Sequence, residues 1–455
     1  MAIESRNPLN DKVEKEFKEE SNQSVEGKIA QAQNTYLEWK TRPFADKQQL
    51  MMKAAEVLKQ NKSKYAALMT TEMGKTTREA TAEIDKCALA CEYYAEKAED
   101  FLSNKALDVP KGTAYIAHDP LGIVLAIMPW NFPFWQVFRF AAPNLMAGNV
   151  GLLKHASNVP QCALAIQEVF ETAGFPKGAF QTLLVSSSKV NDILDDSRVK
   201  AATLTGSEGA GVKVAERAGS NLKKVVLELG GSDPFIVLKD ADIEKAAKTG
   251  AKARMINNGQ SCIAAKRFVV DESVSEEFLK IFKNEMEALV IGDPVDDKND
   301  YGPMAREDLL QELHEQVEKS VEKGAKLILG GKRLYDKGAF YAPTILSDVK
   351  PGMPAYEEEL FGPVAVILVA KDEEEAIEIA NDSRFGLGGS LWSKDIKRAE
   401  KVARKIETGS VYINQLMASH PAVPFGGIKK SGYGRELSHL GITEFVNQKT
   451  VWIAE

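Results

Sequence analysis

From residue 122 to residue 229 short apolar runs alternate with segments of helical period, and this feature restricts the fold more than any other. The runs at 122–128 (GIVLAIM), 150–154, 180–185, 201–205 and 224–229 have strand length, and helical patterns occupy 135–146, 159–173 and 209–218 between them. A parallel neighbour is reached only through a crossover long enough to hold a helix, so this alternation predicts a mostly parallel, doubly wound α/β sheet. In such a sheet ligands lie outside the carboxyl ends of the strands, which makes the residues just after each run the candidates for a site. A second alternating set runs from 234 to about 412 through helical patterns at 243–258, 275–289, 309–323, 373–381 and 395–406.

Residues 26–106 precede both sets with helical spacing. Ile29, Ala30, Tyr36 and Trp39 share one face, and Leu50, Ala54, Ala55, Val57 and Leu58 repeat it. At 113–118 small or apolar side chains alternate with polar ones, as in a half-exposed strand that invites a partner. The 455 residues exceed the ~100–200 of a single core, so at least two domains are expected.

Charge and length exclude several classes of function. With 58 Lys and Arg against 65 Asp and Glu, the net charge of −7 leaves no positive surplus for a phosphate backbone or an anionic bilayer. The apolar runs fall short of the ~20 residues that span hydrocarbon. Glu4, Arg6, Asp11 and Lys12 interrupt what would be the apolar core of a secretory signal, so the chain is expected to stay in the cytoplasm. Four cysteines, at 87, 91, 162 and 262, are too few for a disulfide scaffold and suit a reducing compartment.

Three places could carry chemistry. Cys262 ends NNGQSC, a Gly-bearing turn before the apolar strand at 268–270, where a thiol can be aimed at a carbonyl. Glu228 closes an otherwise apolar strand, and desolvation there raises a carboxyl toward the range of a general base. Asn131, in the stiff loop PWNFPFW, offers an amide donor for an oxyanion. Each has a structural alternative: an inert buried thiol, a strand-end charge reaching solvent, a loop that only caps the sheet. The segment GSEGAG at 206–211 opens a helix whose free N–H groups could hold a phosphate, although it is not G-x-G-x-x-G. Cys87 and Cys91, four apart on one helix face, fit core packing, and no metal set is completed.

Seven stretches in chain order, PWNFP, LLKHAS, LTGSEGAG, LELGGSD, NNGQSC, EELFGPV and PFGGIKKSGYGRE, resemble the aldehyde dehydrogenase superfamily. KHAS, ELGGSDPFIVL and Trp135 with Arg139 are similar to its short bacterial succinate-semialdehyde dehydrogenases. The resemblance implies a Rossmann-type cofactor domain at 1–111 and 121–230, an α/β catalytic domain at 231–430, and small oligomerisation segments at 112–120 and 445–455 that build a homodimer or homotetramer. It implies Cys262 as the nucleophile, Asn131 as the oxyanion donor and Glu228 as the base for the hydrolytic water. Trp130, Lys154, Ser157, Gly206, Ser207, Gly211, Leu229, Glu359 and Phe361 then match cofactor contacts, with Lys154 and Glu359 on the two ribose units. Trp135, Arg139, Ser261, Ser419 and Phe425 match the aldehyde pocket.

Three departures refine the expectation. Ser157 stands where many NAD-preferring relatives carry Glu, which favours NADP and leaves NAD as the weaker cofactor. Arg139 and Ser419 replace apolar or aromatic residues and suit a carboxylate at the far end of the aldehyde, as in succinate semialdehyde. Ala264 occupies a position where some relatives have a second cysteine, so a local disulfide switch is not expected. The competing readings are glutarate semialdehyde or an uncharged aldehyde as substrate, and a cysteine hydrolase in a different class. None of His118, His155, His314, His420 and His439 lies in a motif resembling a Cys–His pair.

Overall fold

The computed structural model describes residues 3–454, so the outermost residues of the expected segments 1–111 and 445–455 fall outside it. Its first large sheet takes the order Gly432–Tyr433, Lys224–Glu228, Val199–Thr205, Ile123–Met128, Val150–His155, Phe180–Thr182. All pairings are parallel except that of Gly432–Tyr433, which returns from the C-terminal region to close one edge. The helices Trp135–Met146, Pro160–Thr172 and Glu208–Ser220 make the expected crossovers. The run at 180–185 stops pairing at Thr182, and the Leu184 N–H turns to the Glu20 carboxylate (3.2 Å).

The second sheet has the order Lys326–Leu329, Thr344–Ser347, Val364–Ala370, Arg267–Asp271, Pro234–Val237, Gly389–Trp392, Val411–Ile413, again parallel apart from its first strand. Apolar clusters cover both of its faces, one around Val269, Leu346 and Leu391 and the other around Phe235, Phe268 and Trp392. Four helices, Asn22–Trp39, Phe44–Gln60, Lys62–Met73 and Thr77–Leu102, form the helical layer over the first sheet and share its core. The side chains of Ser21 and Thr76 cap the first and last of these by accepting from backbone N–H groups.

Thr113–Pro120 pairs antiparallel with both Val446–Ile453 and Lys105–Leu107, so the two segments expected to oligomerise meet in one three-stranded sheet. Not anticipated from the sequence is a hairpin of Ile3–Asn7 with Lys12–Phe17. It ties the two halves together: the Glu4 N–H donates to the Ser157 carbonyl (3.1 Å), and the Pro8 carbonyl accepts from Ala339 (3.1 Å).

The two large sheets approach the site with opposite ends. Residues 129–135, 206–207 and 229–231 follow strands of the first sheet, as expected for its carboxyl edge. Cys262, Glu359, Phe361, Arg384 and Phe385 all precede strands of the second sheet, so its amino edge forms the opposing wall.

Candidate active site

A cleft of about 420 Å³ lies between these edges, lined by Trp130, Asn131, Gly206, Ser207, Leu229, Cys262, Glu359 and Phe361 among others. Eight positions singled out from separate stretches of sequence thus share one wall-to-wall space. The Trp130 and Phe361 rings meet edge to face across it at 5.8 Å.

Cys262 reaches the cleft through a sharp turn. Asn257 and Asn258 both adopt left-handed backbone (φ 55°), which Asn tolerates better than most residues, and this ends the preceding helix at Met255 rather than at 258. Gly259 follows with φ 73°, where a Cβ would collide with the Gly362 carbonyl. The turn is fixed from outside: Asn257 donates through Nδ2 to the Asn131 carbonyl (2.8 Å), and its N–H donates to Glu79 Oε1 (2.8 Å). Asn131 is held in return, donating through Nδ2 to the Gln260 carbonyl (3.1 Å) and accepting at Oδ1 from Gln136 (3.0 Å). Glu83, one turn beyond Glu79 on helix Thr77–Leu102, accepts from the N–H groups of Phe134 and Trp135 (2.8 and 2.9 Å) and pairs with buried Lys75. One helix therefore positions both the Asn131 loop and the Cys262 turn.

The environment of the thiol is charged but dry. Burial pushes Cys262 up to about 12, opposed by the positive charges of Arg139 and Lys266. It is the one cysteine not fully buried; Cys87, Cys91 and Cys162 lie within the core. The Lys266 ammonium donates to the carbonyls of Ser261, Cys262 and Ala264 (2.9, 2.9 and 3.3 Å) and pairs with Glu359 at 3.3 Å. Glu359 also accepts from the Gly231 N–H (3.0 Å), and a Cβ on Gly231 would stand 2.6 Å from the Cys262 carbonyl. The double glycine is needed for this approach.

Glu228 closes its strand as a desolvated carboxyl. Its carboxyl is buried, away from the cleft, against Gly426, and neither oxygen accepts a hydrogen bond from a described residue. Burial and neighbouring Glu436 raise it well above the usual carboxylate range, while Arg139 and Arg435 pull the other way. Arg139, expected with Ser419 to suit a carboxylate at the far end of the aldehyde, is buried in an ion pair with Glu436, donates to the Thr205 hydroxyl (3.3 Å) and lies 4.5 Å from the centre of the Phe425 ring. A desolvated guanidinium requires such an anion.

The remaining candidates divide among three places. Trp135 donates through Nε1 to the Ser419 hydroxyl (3.0 Å), which also accepts from Lys86 (2.7 Å), so these two expected pocket residues meet around a lysine the sequence did not single out. Ser261 is fully buried and its hydroxyl does not reach the cleft. Gly211 lies one helical turn inside Glu208–Ser220, packed so closely that a Cβ would meet Leu229 at 2.7 Å. Ser157 borders a second cleft, about 1010 Å³, beside Glu4, Arg6, Arg306 and Arg333. The arginines there are paired with carboxylates, whereas half-buried Lys154 has no ion-pair partner among the described residues.

Lys266 and Glu436 were missed as parts of the site. A charge between Cys262 and a buried strand is a readable signal for Lys266. Glu436 lies within PFGGIKKSGYGRE but touches Arg139 only through folding.

Among the described residues no group of three His, Cys, Asp or Glu is placed to hold a metal, and no helix is long and apolar enough to cross a membrane. The model of the aldehyde dehydrogenase family matches residues 1–451. A probable succinate-semialdehyde dehydrogenase [NADP(+)] of Synechocystis is 53% identical over 454 residues, covering 100% of both chains. A succinate-semialdehyde dehydrogenase [NADP(+)] of Mycobacterium avium is 50% identical over 100% of this chain and 97% of its own. The crystal structure of succinic semialdehyde dehydrogenase from Streptococcus pyogenes in complex with NADP+ superposes with a TM-score of 0.98 at 39% identity, covering 99% of this chain and 100% of the other. With an aimed cysteine facing an amide donor across a cleft between two α/β sheets, and with these likenesses along the whole chain, the protein belongs to the aldehyde dehydrogenase family.

Proposed function

We propose that the protein oxidises succinate semialdehyde to succinate with NADP as the preferred cofactor and NAD as the weaker one. The observation that carries this reading is the common cleft of Cys262 and Asn131 with Trp130, Gly206, Ser207, Leu229, Glu359 and Phe361, joined to full-length likeness to enzymes named for that reaction.

The cleft suits a dinucleotide. Ser207 caps the helix Glu208–Ser220, whose N-terminal N–H groups favour a pyrophosphate, and open space faces Gly209. Glu359 offers its carboxylate to ribose hydroxyls, and Trp130 with Phe361 walls a flat ring. Lys154 and Ser157 favour a 2′-phosphate, since a Glu at 157 would repel it and the ammonium of Lys154 pairs with no carboxylate among the described residues. When bound, the nicotinamide accepts the hydride at C4.

The chain supplies the rest. Cys262 gives its thiol proton to solvent water as sulfur adds to the aldehyde carbon, and the positive charges of Arg139 and Lys266 reduce the cost of the thiolate. The oxyanion accepts from the second N–H of the Asn131 amide and from the Cys262 N–H. Loss of hydride leaves a thioester on Cys262. Glu228 then takes a proton from water as its oxygen attacks the thioester carbon; the C–S bond breaks, the acid leaves, and the Cys262 sulfur recovers the proton from Glu228. To reach that water its side chain has to turn from Gly426 into the cleft, a motion that no hydrogen bond opposes.

The same proposal assigns 1–111 and 121–230 to cofactor binding, 231–430 to catalysis, and 112–120 with 445–455 to a homodimer or homotetramer in the cytoplasm. Support for the interface is the three-stranded sheet, on which Trp452 and Ile453 stand more than half exposed.

Purified protein assayed with succinate semialdehyde, glutarate semialdehyde and butanal, each with NADP and NAD, tests the whole reading. Succinate semialdehyde with NADP is expected to give the highest kcat/KM; ester hydrolysis without nucleotide and no reduction of either cofactor would instead establish a cysteine hydrolase.

A further inference from the structure

We propose that Arg384 is a ligand of the cofactor's pyrophosphate, reaching it from the wall opposite helix Glu208–Ser220. The inference rests on the dinucleotide cleft proposed above.

The charge around that cleft sets the problem. Glu312, Glu358 and Glu359 line it, and Arg384 is the one basic side chain that does so among the described residues. A dinucleotide brings an anionic pyrophosphate into this negative surrounding. The N–H groups at the start of helix Glu208–Ser220 offset part of the repulsion, but Glu208 adds a further carboxylate in the first turn of the same helix. A cation therefore has to reach the helix end from outside it.

Arg384 does so. Its guanidinium donates through Nη2 to the Glu208 carboxylate, joining the amino edge of the second sheet to the first turn of the helix. The side chain is half exposed and makes no other hydrogen bond among the described residues, so the rest of its planar fork of N–H donors is open to phosphate oxygens. Glu208 is paired with Lys430 as well (3.3 Å), and its carboxylate stays neutralised when Arg384 also engages a phosphate.

The backbone that carries Arg384 is fixed in advance. Its carbonyl accepts from the Lys430 N–H (2.9 Å), and the next two residues, Phe385–Gly386, pair antiparallel with Ile428–Lys429. The Gly386 N–H donates to Ser431 Oγ (3.0 Å), which donates to the Gly230 carbonyl (2.6 Å), so this ladder is tied to the turn that lines the cleft. The Phe385 ring, 5.5 Å from the guanidinium carbon, limits where the side chain can go. Little order is then lost on binding. The other cations are placed differently: Lys430 does not border the cleft, and Lys266 is committed to three carbonyls and Glu359.

The test is direct binding, read by tryptophan fluorescence, of NADP, NAD, ADP and adenosine 2′-monophosphate to the unmodified enzyme, Arg384→Met, Arg384→Gln, Arg384→Lys and Lys430→Met. Losing a charge-assisted contact should raise Kd for NADP, NAD and ADP about ten-fold, by the same factor for each, in the Met and Gln variants. Adenosine 2′-monophosphate, which has no pyrophosphate, should bind these variants as it binds the unmodified enzyme, which also checks that they are folded. Arg384→Lys should restore part of the loss, and Lys430→Met should change each Kd by less than about two-fold, as for a solvent-exposed pair away from the ligand. Unchanged Kd values for NADP and NAD in both neutral variants, an equal loss for adenosine 2′-monophosphate, or an equal effect of Lys430→Met would overturn the role of Arg384 and leave the dinucleotide reading intact. Failure of the unmodified enzyme to bind either dinucleotide would overturn that reading and this inference with it.

Discussion

Cys262 lies between two charged groupings that could hardly be more different. On one side Lys266 gives its ammonium to three carbonyls and to Glu359, which in turn accepts from Gly231. On the other, among the described residues the Glu228 carboxyl has no hydrogen-bond partner and the Glu436 carboxylate has only its ion pair with Arg139. Buried polar groups are normally satisfied, and leaving one unmade costs about 1–3 kcal/mol. The saturated side fixes geometry: it locks the turn that carries Cys262 and holds the Glu359 carboxylate in place. The unsaturated side holds a carboxyl that packing rather than hydrogen bonding keeps in place.

The largest effect should come from the residue both sides share. Cys262→Ala is expected to abolish aldehyde oxidation in folded protein, and steady-state turnover by that variant would refute the chemistry on either side.

Glu228→Gln sharpens the contrast, because the unsaturated side is assigned only to the hydrolytic step. Steady-state turnover should fall about 10²- to 10⁴-fold, the usual worth of a general base, while rapid mixing still gives a burst of reduced cofactor. Loss of the burst would place Glu228 in the earlier step. Its pH dependence follows from burial and Glu436, which raise it. A base works only after losing its proton, so deacylation should increase with pH, and its midpoint should lie above the ordinary carboxylate range in pre-steady-state measurements.

Lys266→Met attacks the saturated side. Removing one partner of a buried pair should destabilise the fold by roughly 3–5 kcal/mol, read as an earlier urea midpoint. If stability were unchanged and only KM for the cofactor moved, Lys266 would be a ligand-responsive group rather than a fixed strut.

The smallest expected effect is at Ser157, on the second cleft. Ser157→Glu should shift the NADP-to-NAD ratio of kcat/KM by about ten- to a hundred-fold toward NAD. Equal use of the two cofactors by the unmodified enzyme would show that the pairing of Lys154 with a 2′-phosphate contributes little.

Much of the fold was legible from period alone. Helices at 135–146 and 373–381 begin and end where the pattern places them, and the two alternating sets become the two large sheets. The misses have local causes. Helix 243–258 stops at Met255 because two asparagines turn left-handed, and 395–406 shortens to Ile396–Ala403 behind an Asp395 cap. The N-terminal hairpin has polar strands without a clear apolar face and left no signal.

For the site, residue type and motif singled out Cys262 and Asn131, which fold into one cleft with Trp130, Gly206, Ser207, Leu229, Glu359 and Phe361, because a nucleophile, an amide donor and close-approach glycines are demanded by chemistry and by sterics that act along a few consecutive residues. Those demands are written locally, and so the sequence determined them. Which charges neutralise one another is not local. The amino edge of the second sheet meets the carboxyl edge of the first; Glu436 is brought to Arg139, and Ser419 to Lys86, across hundreds of residues. Only the tertiary structure decided that Arg139 is already paired while Lys86 is not, since a buried charge is defined by its neighbours in space and the chain carries no local record of them.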